Sequence, residues 1–207
     1  WRWLKQAELA ADEALLRQVF GLLLLAHYQT TPSDLRSLLD APDLTLLTLW
    51  ENEALSGVVL LVREGGLAPD LAEQIWLGRR RPRGQLLPQT LLTHAGYRQA
   101  GNFRYARIMR IAVHPSRQGH GLGQLLLEQV ERWARQQQFD FLGTAFAATP
   151  TLLKFWQQQA YQAVRLGLSR DAASGCHSIV LLKALASEQV PQLASWQQQF
   201  QASLPCH

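Results

Sequence analysis

Arg110-Ile111-Ala112-Val113-His114-Pro115-Ser116-Arg117-Gln118-Gly119-His120-Gly121-Leu122-Gly123 is the most informative run of this sequence. An apolar, branched segment reads as a strand and stops at His114-Pro115. A short polar loop follows, then glycines at every second position. Behind them, Gly121–Gln137 reads as an amphipathic helix, with Leu122, Leu125, Leu126, Val130 and Trp133 expected on one face. A strand, a glycine-bearing turn and a helix start in this order suit a polyanion. Glycine lets the backbone come close to a ligand, and the first helical turn carries unpaired N–H groups and a partial positive charge.

Two phosphate-binding patterns do not match. No Gly-Lys-Ser/Thr follows the loop, which excludes a Walker loop. A dinucleotide fingerprint places its first glycine directly after the strand, and here Pro115 intervenes. The run Gln118-Gly119-His120-Gly121-Leu122-Gly123 instead resembles the Q-x-x-G-x-G signature of the GNAT acetyltransferase superfamily, and the flanking Ile111–Pro115 and Leu125-Leu126 match its context. The resemblance implies an α/β fold, a GNAT-type mixed β-sheet flanked by helices on both faces. It implies acetyl-CoA as cosubstrate. The main chain of Ile111, Ala112 and Val113 would meet the pantetheine arm, and Gln118, Gly119, His120, Gly121, Leu122, Gly123 and Gln124 would cradle the pyrophosphate. Thr151, on the first turn of a later helix, would touch the same cofactor.

Outward from this core, apolar spacing over residues 4–28 predicts one long helix. Thr31–Asp34 breaks it and caps a short helix over Asp34–Leu39. Leu44–Trp50 and Leu55–Arg63 read as a hairpin around a turn at Glu51–Ala54. Helices are expected at Asp70–Trp76, Leu86–His94 and Thr151–Gln159. Strands are expected at Arg107–Val113, Phe141–Phe146, Tyr161–Leu168 and Ser178–Leu182. The acetyltransferase domain is taken as residues 1–185. Residues 186–207, rich in Gln, read as a polar tail with little core signal that begins a further region.

A narrower resemblance rests on His27-Tyr28-Gln29-Thr30-Thr31-Pro32-Ser33-Asp34-Leu35 and Leu39-Asp40-Ala41-Pro42-Asp43. It also rests on Arg79-Arg80-Arg81-Pro82-Arg83-Gly84, Phe155-Trp156 and Ala173-Ser174-Gly175-Cys176. These are similar to the acetyltransferase domain of the RNA cytidine acetyltransferases that act on tRNA(Met). The resemblance implies transfer of acetyl to the exocyclic N4 amine of a cytidine in tRNA. It implies tRNA and the other domains of a parent chain as partners, with ATP used only in a helicase-like domain that this chain lacks. His27 and Tyr28 are the candidate catalytic pair: an imidazole can accept a proton near neutral pH, and a neighbouring phenol can donate one. Superfamily members often carry an acid Tyr where this sequence has Trp156, and indole cannot serve as an acid. Arg79, Arg80, Arg81 and Arg83 are the candidate RNA-binding residues. Arg98, Arg104 and Arg107 are expected to extend them into a phosphate rim that positions RNA without reading its sequence.

Composition bounds these readings. In 207 residues, 47% are hydrophobic and 17% charged, which supports a packed core and excludes a disordered chain. A net charge of +4 permits a polyanionic partner without demanding one. Cys176 and Cys206 are expected as free thiols in a cytoplasmic protein, no metal-type spacing is present, and no apolar run reaches the about 20 residues that span a bilayer. The longest, Leu22–Ala26, is expected to be a buried helix face. The chain starts at Trp1 and is read as a piece of a longer protein. Two other functions use the same glycine motif: a protein or small-amine N-acetyltransferase, and a non-catalytic module that binds coenzyme A.

Overall fold

The computed structural model describes residues 1–26, 43–171 and 174–204. In chain order the elements are β1 (Arg2–Lys5), α1 (Gln6–Ala11), α2 (Glu13–Ala26), β2 (Thr45–Glu51), β3 (Ala54–Gly65), α3 (Pro69–Trp76), α4 (Leu86–Thr93), β4 (Arg104–Val113), α5 (Leu122–Gln136), β5 (Phe141–Ala147), α6 (Pro150–Gln158), β6 (Gln162–Arg170), β7 (His177–Ala184) and α7 (Val190–Ser203). The strands form one sheet in the order β1-β2-β3-β4-β5-β7-β6. The β1–β2, β2–β3, β5–β7 and β6–β7 pairs are antiparallel. β5 starts beside the start of β4, where the Asp140 N–H donates to Arg104 O at 2.9 Å, so this pair runs in one direction and the sheet is mixed.

The chain divides into two compact units, Trp1–Arg63 with Ile108–Arg132 and Glu64–Arg107 with Trp133–His207. In the first unit, β2 and β3 are near-continuous apolar runs because both of their faces are buried. Leu46, Val58 and Leu60 pack with Leu15, Val19 and Leu22 of α2, in a cluster that also holds Ala112 of β4. On the opposite face, Gly57 admits α5: a Cβ there would lie 2.9 Å from Leu126 Cδ1. The hairpin turns through Asn52 and Glu53, both left-handed (φ 47° and 66°), a two-residue connection whose twist matches that of the strands.

The second unit is built on aromatic packing. Phe141 of β5 and Leu182 of β7 share a core with Ile75 of α3, Leu87 and Leu91 of α4, and Trp196 of α7. Tyr97 stacks on Trp196, with ring centres 5.1 Å apart, and burial pushes its phenol up to about 12.

Several expectations are corrected. The long helix over residues 4–28 is instead a strand and two helices over its described part, residues 4–26. β1 pairs with Thr45–Thr48 and buries Leu4, so tertiary pairing overrides local helical spacing. Asp12 separates α1 from α2. Its backbone is extended, and its carboxylate accepts from the Leu15 N–H at 2.9 Å, capping α2. Within the Leu22–Ala26 run, Leu22 and Leu23 are buried but Leu24 and Leu25 are exposed, because consecutive helical residues point in different directions. On α5 the buried residues are Leu126, Leu127, Val130 and Ala134, and Leu125 is exposed. Residues 186–207, expected to add little to the core, supply α7, whose Leu193, Trp196 and Phe200 are buried at helical spacing among glutamines. The helix expected at Asp34–Leu39 lies outside the described residues.

Candidate functional site

β4 ends at Val113, and the chain then turns through a loop over residues 114–121 to the start of α5 at Leu122. Strand alternation sends the Ala112 side chain into the core and leaves Ile111 and Val113 half-buried. Pro115–Arg117 forms one 3-10 turn, closed by the Arg117 N–H donating to His114 O at 2.8 Å. The His114 N–H donates to Ser56 O of β3 at 2.9 Å, which ties the strand end to its neighbour. The Gln118 side chain reaches back, donating from Nε2 to Val113 O at 3.1 Å. Gly119 and Gly121 then lie in the left-handed region, at φ 79° and 77°, and among the described residues beyond its own chain neighbours no heavy atom stands within 4 Å of where a Cβ would be on either.

This geometry leaves a row of donors. The Gln118 N–H is taken by Pro115 O at 3.3 Å, and the first bond of α5 is Leu125 N–H to Gly121 O at 3.0 Å. Among the described residues, no protein acceptor receives the N–H groups of Gly119, His120, Gly121, Leu122, Gly123 or Gln124. The available run therefore begins at Gly119, one residue later than the motif. Backbone amides around left-handed residues at a helix start form a concave anion site. The His120 Nδ1 lies 2.9 Å from Gln118 O, and the His114 Nδ1 lies 2.8 Å from Ser116 Oγ, so both rings brace the loop.

Sequence reasoning missed the strut that holds this loop. Arg117 forks onto Glu51 at the β2–β3 turn: Nε donates to Oε2 at 3.0 Å and the terminal nitrogen pairs with Oε1. The Arg117 guanidinium, and next the Ser56 hydroxyl, hold the Glu51 carboxyl below its ordinary range.

The other candidates belong to other elements of the chain. His27 and Tyr28 lie outside the described residues. Thr151 is exposed on the first turn of α6, and the residue that caps this helix is Thr149, which accepts from the Leu152 N–H at 3.4 Å. Trp156 is buried, stacked on Phe146 and edge-on to Tyr161 with ring centres 4.8 Å apart, so it fills core space. Arg79, Arg80, Arg81 and Arg83 are exposed on the loop after α3. The expected rim does not form as a unit. Arg98 pairs with Glu73 at 3.2 Å, Arg104 donates to the carbonyls of Gln137 and Gln138, and the Arg107 Nε donates to the buried Glu64 at 2.5 Å. Among the described residues, no group of three or more His, Cys, Asp or Glu is placed to hold a metal, and no helix is long and apolar enough to cross a membrane.

A family model described as GNAT acetyltransferase 2 matches residues 18–138 and 126–186. The chain belongs to the GNAT acetyltransferase 2 family. Among curated relatives, the tRNA(Met) cytidine acetyltransferase TmcA of Nitrosococcus halophilus is 44% identical over 197 residues, 95% of this chain and 26% of that protein. Its namesake from Haloferax volcanii is 43% identical over 187 residues, 90% of this chain and 24% of that protein. The chain thus spans about a quarter of the length of these GNAT relatives. Solved structures share the fold at low identity. The ribosomal-protein-S18-alanine N-acetyltransferase of Escherichia coli superposes with a TM-score of 0.57 at 11% identity, over 84% of this chain and 90% of that one. A GNAT family acetyltransferase of Elizabethkingia anophelis with acetyl-CoA bound gives 0.53 at 17%, over 80% and 90%. The expected GNAT-type sheet is therefore the observed one.

Proposed function

We propose that this chain is the acetyl-transfer domain of an RNA cytidine acetyltransferase, which moves acetyl from acetyl-CoA to the N4 amine of a cytidine in tRNA. The observation that carries the cofactor half is the run of unengaged main-chain N–H groups from Gly119 to Gln124. The acceptor half is supported by the relatives named tRNA(Met) cytidine acetyltransferase, which align over most of the chain. The reading includes a cytoplasmic location, tRNA as partner and a longer parent polypeptide.

In this reading, the amides of Gly119–Gln124 hold the pyrophosphate and the main chain of Ile111–Val113 aligns the pantetheine arm. The target base is unstacked to reach the thioester. The cytidine N4 attacks the thioester carbonyl carbon, the C–S bond breaks, and the sulfur leaves as thiolate. The N4 lone pair is delocalised into the ring, so positioning supplies much of the barrier reduction, about 7 kcal/mol or more. An N–H of the Ile111–Val113 strand stabilises the oxyanion. His27 or Tyr28 takes the amine proton. Trp156 has no proton to give, so the thiolate is protonated from elsewhere. His27→Ala is expected to lower turnover while acetyl-CoA affinity stays within a few-fold, and unchanged turnover removes His27 from the mechanism.

The test is mass spectrometry of bulk tRNA after incubation with acetyl-CoA and a polypeptide of the relatives' length carrying this chain. Acetylated cytidine is the expected product. A second reading, a protein or small-amine N-acetyltransferase, draws on the substrates named for fold neighbours such as the S18-alanine enzyme. Acetylation of peptide or polyamine with no acetylcytidine in the tRNA would favour it.

A further inference from the structure

Two depressions in the unit Glu64–Arg107 with Trp133–His207 meet at one side chain. One, of about 240 Å³, is lined by His94, Tyr97, Arg165, Leu168 and Gln199 among others. The second, of about 300 Å³, is lined by Arg81, Pro82, Gln85, Gln89 and again His94. No acidic residue lines either. Three separate elements supply the basic groups: the loop after α3, the end of α4, and β6.

Their partners set these bases apart. Arg17, Arg98, Arg107 and Arg117 each pair with a carboxylate. Among the described residues, the side chains of Arg81, His94 and Arg165 make no hydrogen bond or ion pair with the protein. Arg165 is half-buried on β6, and that burial pulls its guanidinium below its ordinary range. The His94 imidazole is likewise lowered, first by burial, then by the charges of Arg165 and Arg81. A half-buried cation without a counter-ion costs free energy that an incoming anion recovers. Arg forks are matched to phosphate oxygens.

We infer that Arg81, His94 and Arg165 form a phosphate-binding surface that grips the backbone of the RNA substrate. Two shallow depressions joined at His94 suit an extended ligand better than an enclosed small molecule. Small-molecule clefts occupy about 300–1,000 Å³, and each depression is at or below that range. Leu168, 74% exposed, lines the same depression as Arg165 and gives it an apolar side. The exposed Arg79, Arg80 and Arg83 extend the positive charge away from Arg81 along the same loop. This inference rests on the RNA reading of the preceding subsection.

The test is tRNA affinity of the full-length polypeptide by fluorescence anisotropy across a salt series, with Arg81→Gln, Arg165→Gln and Arg165→Lys. Each phosphate contact contributes about 0.7–0.9 to the slope of log K against log salt, so each glutamine variant should flatten it by that amount and weaken binding about six-fold near ~0.1 M salt. Arg165→Lys should keep the slope, and Arg17→Gln, in the other unit, should leave it unchanged. Acetyl-CoA affinity reports folding, and if Arg165→Gln loses it, the exposed Arg81→Gln decides. Unchanged slopes for the glutamine variants, with acetylcytidine still formed by the parent, would overturn the surface and leave the function standing. Failure of the parent to bind tRNA would overturn both. Competition by polyglutamate but not by tRNA would mean an acidic protein occupies the surface, and would also overturn the inference.

Discussion

Glu64→Ala should cost this protein a large share of its stability. The Glu64 side chain is 0% exposed and its carboxylate has two jobs: Oε1 accepts from the Arg107 Nε at 2.5 Å, and Oε2 accepts from the Leu87 N–H at 2.7 Å, on the first turn of α4. Arg107 is 14% exposed, so truncating Glu64 strands a nearly buried guanidinium. Breaking one side of such a pair costs about 3–5 kcal/mol. Losing the charge-assisted bond to Leu87 costs about 1.5–3 kcal/mol, and the two losses overlap because one carboxylate makes both contacts. We expect about 3–5 kcal/mol in total, against a typical stability of about 5–15 kcal/mol. Arg107→Ala should cost a similar amount, and the double variant Glu64→Ala with Arg107→Ala should lose less than the sum of the two, since no charge is left unpaired and what remains is the lost bond to the Leu87 N–H. Urea unfolding followed by circular dichroism gives the four free energies. A Glu64→Ala loss under about 1 kcal/mol, or a double variant that loses the full sum of the two single losses, would rule out this pairing as a stability element. Arg107→Ala that weakened RNA binding at unchanged stability would return Arg107 to the phosphate rim.

Gly121→Ala should weaken acetyl-CoA binding about ten-fold by titration calorimetry. The new Cβ meets open space, so the free variant loop can relax out of the left-handed region, and binding must restore it at about 1–2 kcal/mol; undiminished affinity would contradict it. Gly65→Ala should be far more disruptive, because its Cβ would lie 2.0 Å from Phe103 O and 2.7 Å from Tyr105 at φ 84°. A melting temperature within a degree of the parent would sink this expectation. The Arg117–Glu51 fork predicts a pH signature. A carboxyl whose folded pKa is depressed adds stability above its unfolded value, about 4.3, and loses it as pH falls through the folded value. The stability gap between the parent and Arg117→Gln should therefore be steady near neutrality and close in acid, whereas an equal gap at about pH 3 would contradict the assignment.

Much of this was legible in the residues because local signals agreed with the fold. The strand–loop–helix order around Gly119–Gly123 needs only a stop at Pro115 and glycines where the backbone turns left-handed. The hairpin at Asn52–Glu53 is likewise local. What stayed hidden depends on partners distant in sequence. Nothing near Trp3-Leu4 announces that β2 will accept it as an edge strand. The helix α7 hides its stripe of Leu193, Trp196 and Phe200 among glutamines, and its burial depends on Tyr97 and Phe141 far upstream. The arginines show the same limit. Sequence groups Arg98, Arg104 and Arg107 with the Arg79–Arg83 run, but Glu64 and Glu73 claim Arg107 and Arg98, while Arg165, outside that set, joins Arg81 around His94 only through folding.

In the proposed function, main-chain amides receive the diphosphate of coenzyme A. Proton–nitrogen NMR spectra recorded while coenzyme A is titrated into the labelled protein test it atom by atom. Large, saturable shifts are expected for the Gly119, His120, Gly121, Leu122, Gly123 and Gln124 amides, with Gln118, whose N–H is already bonded to Pro115 O, moving less. Saturable binding of coenzyme A that leaves those amides where they were would contradict it.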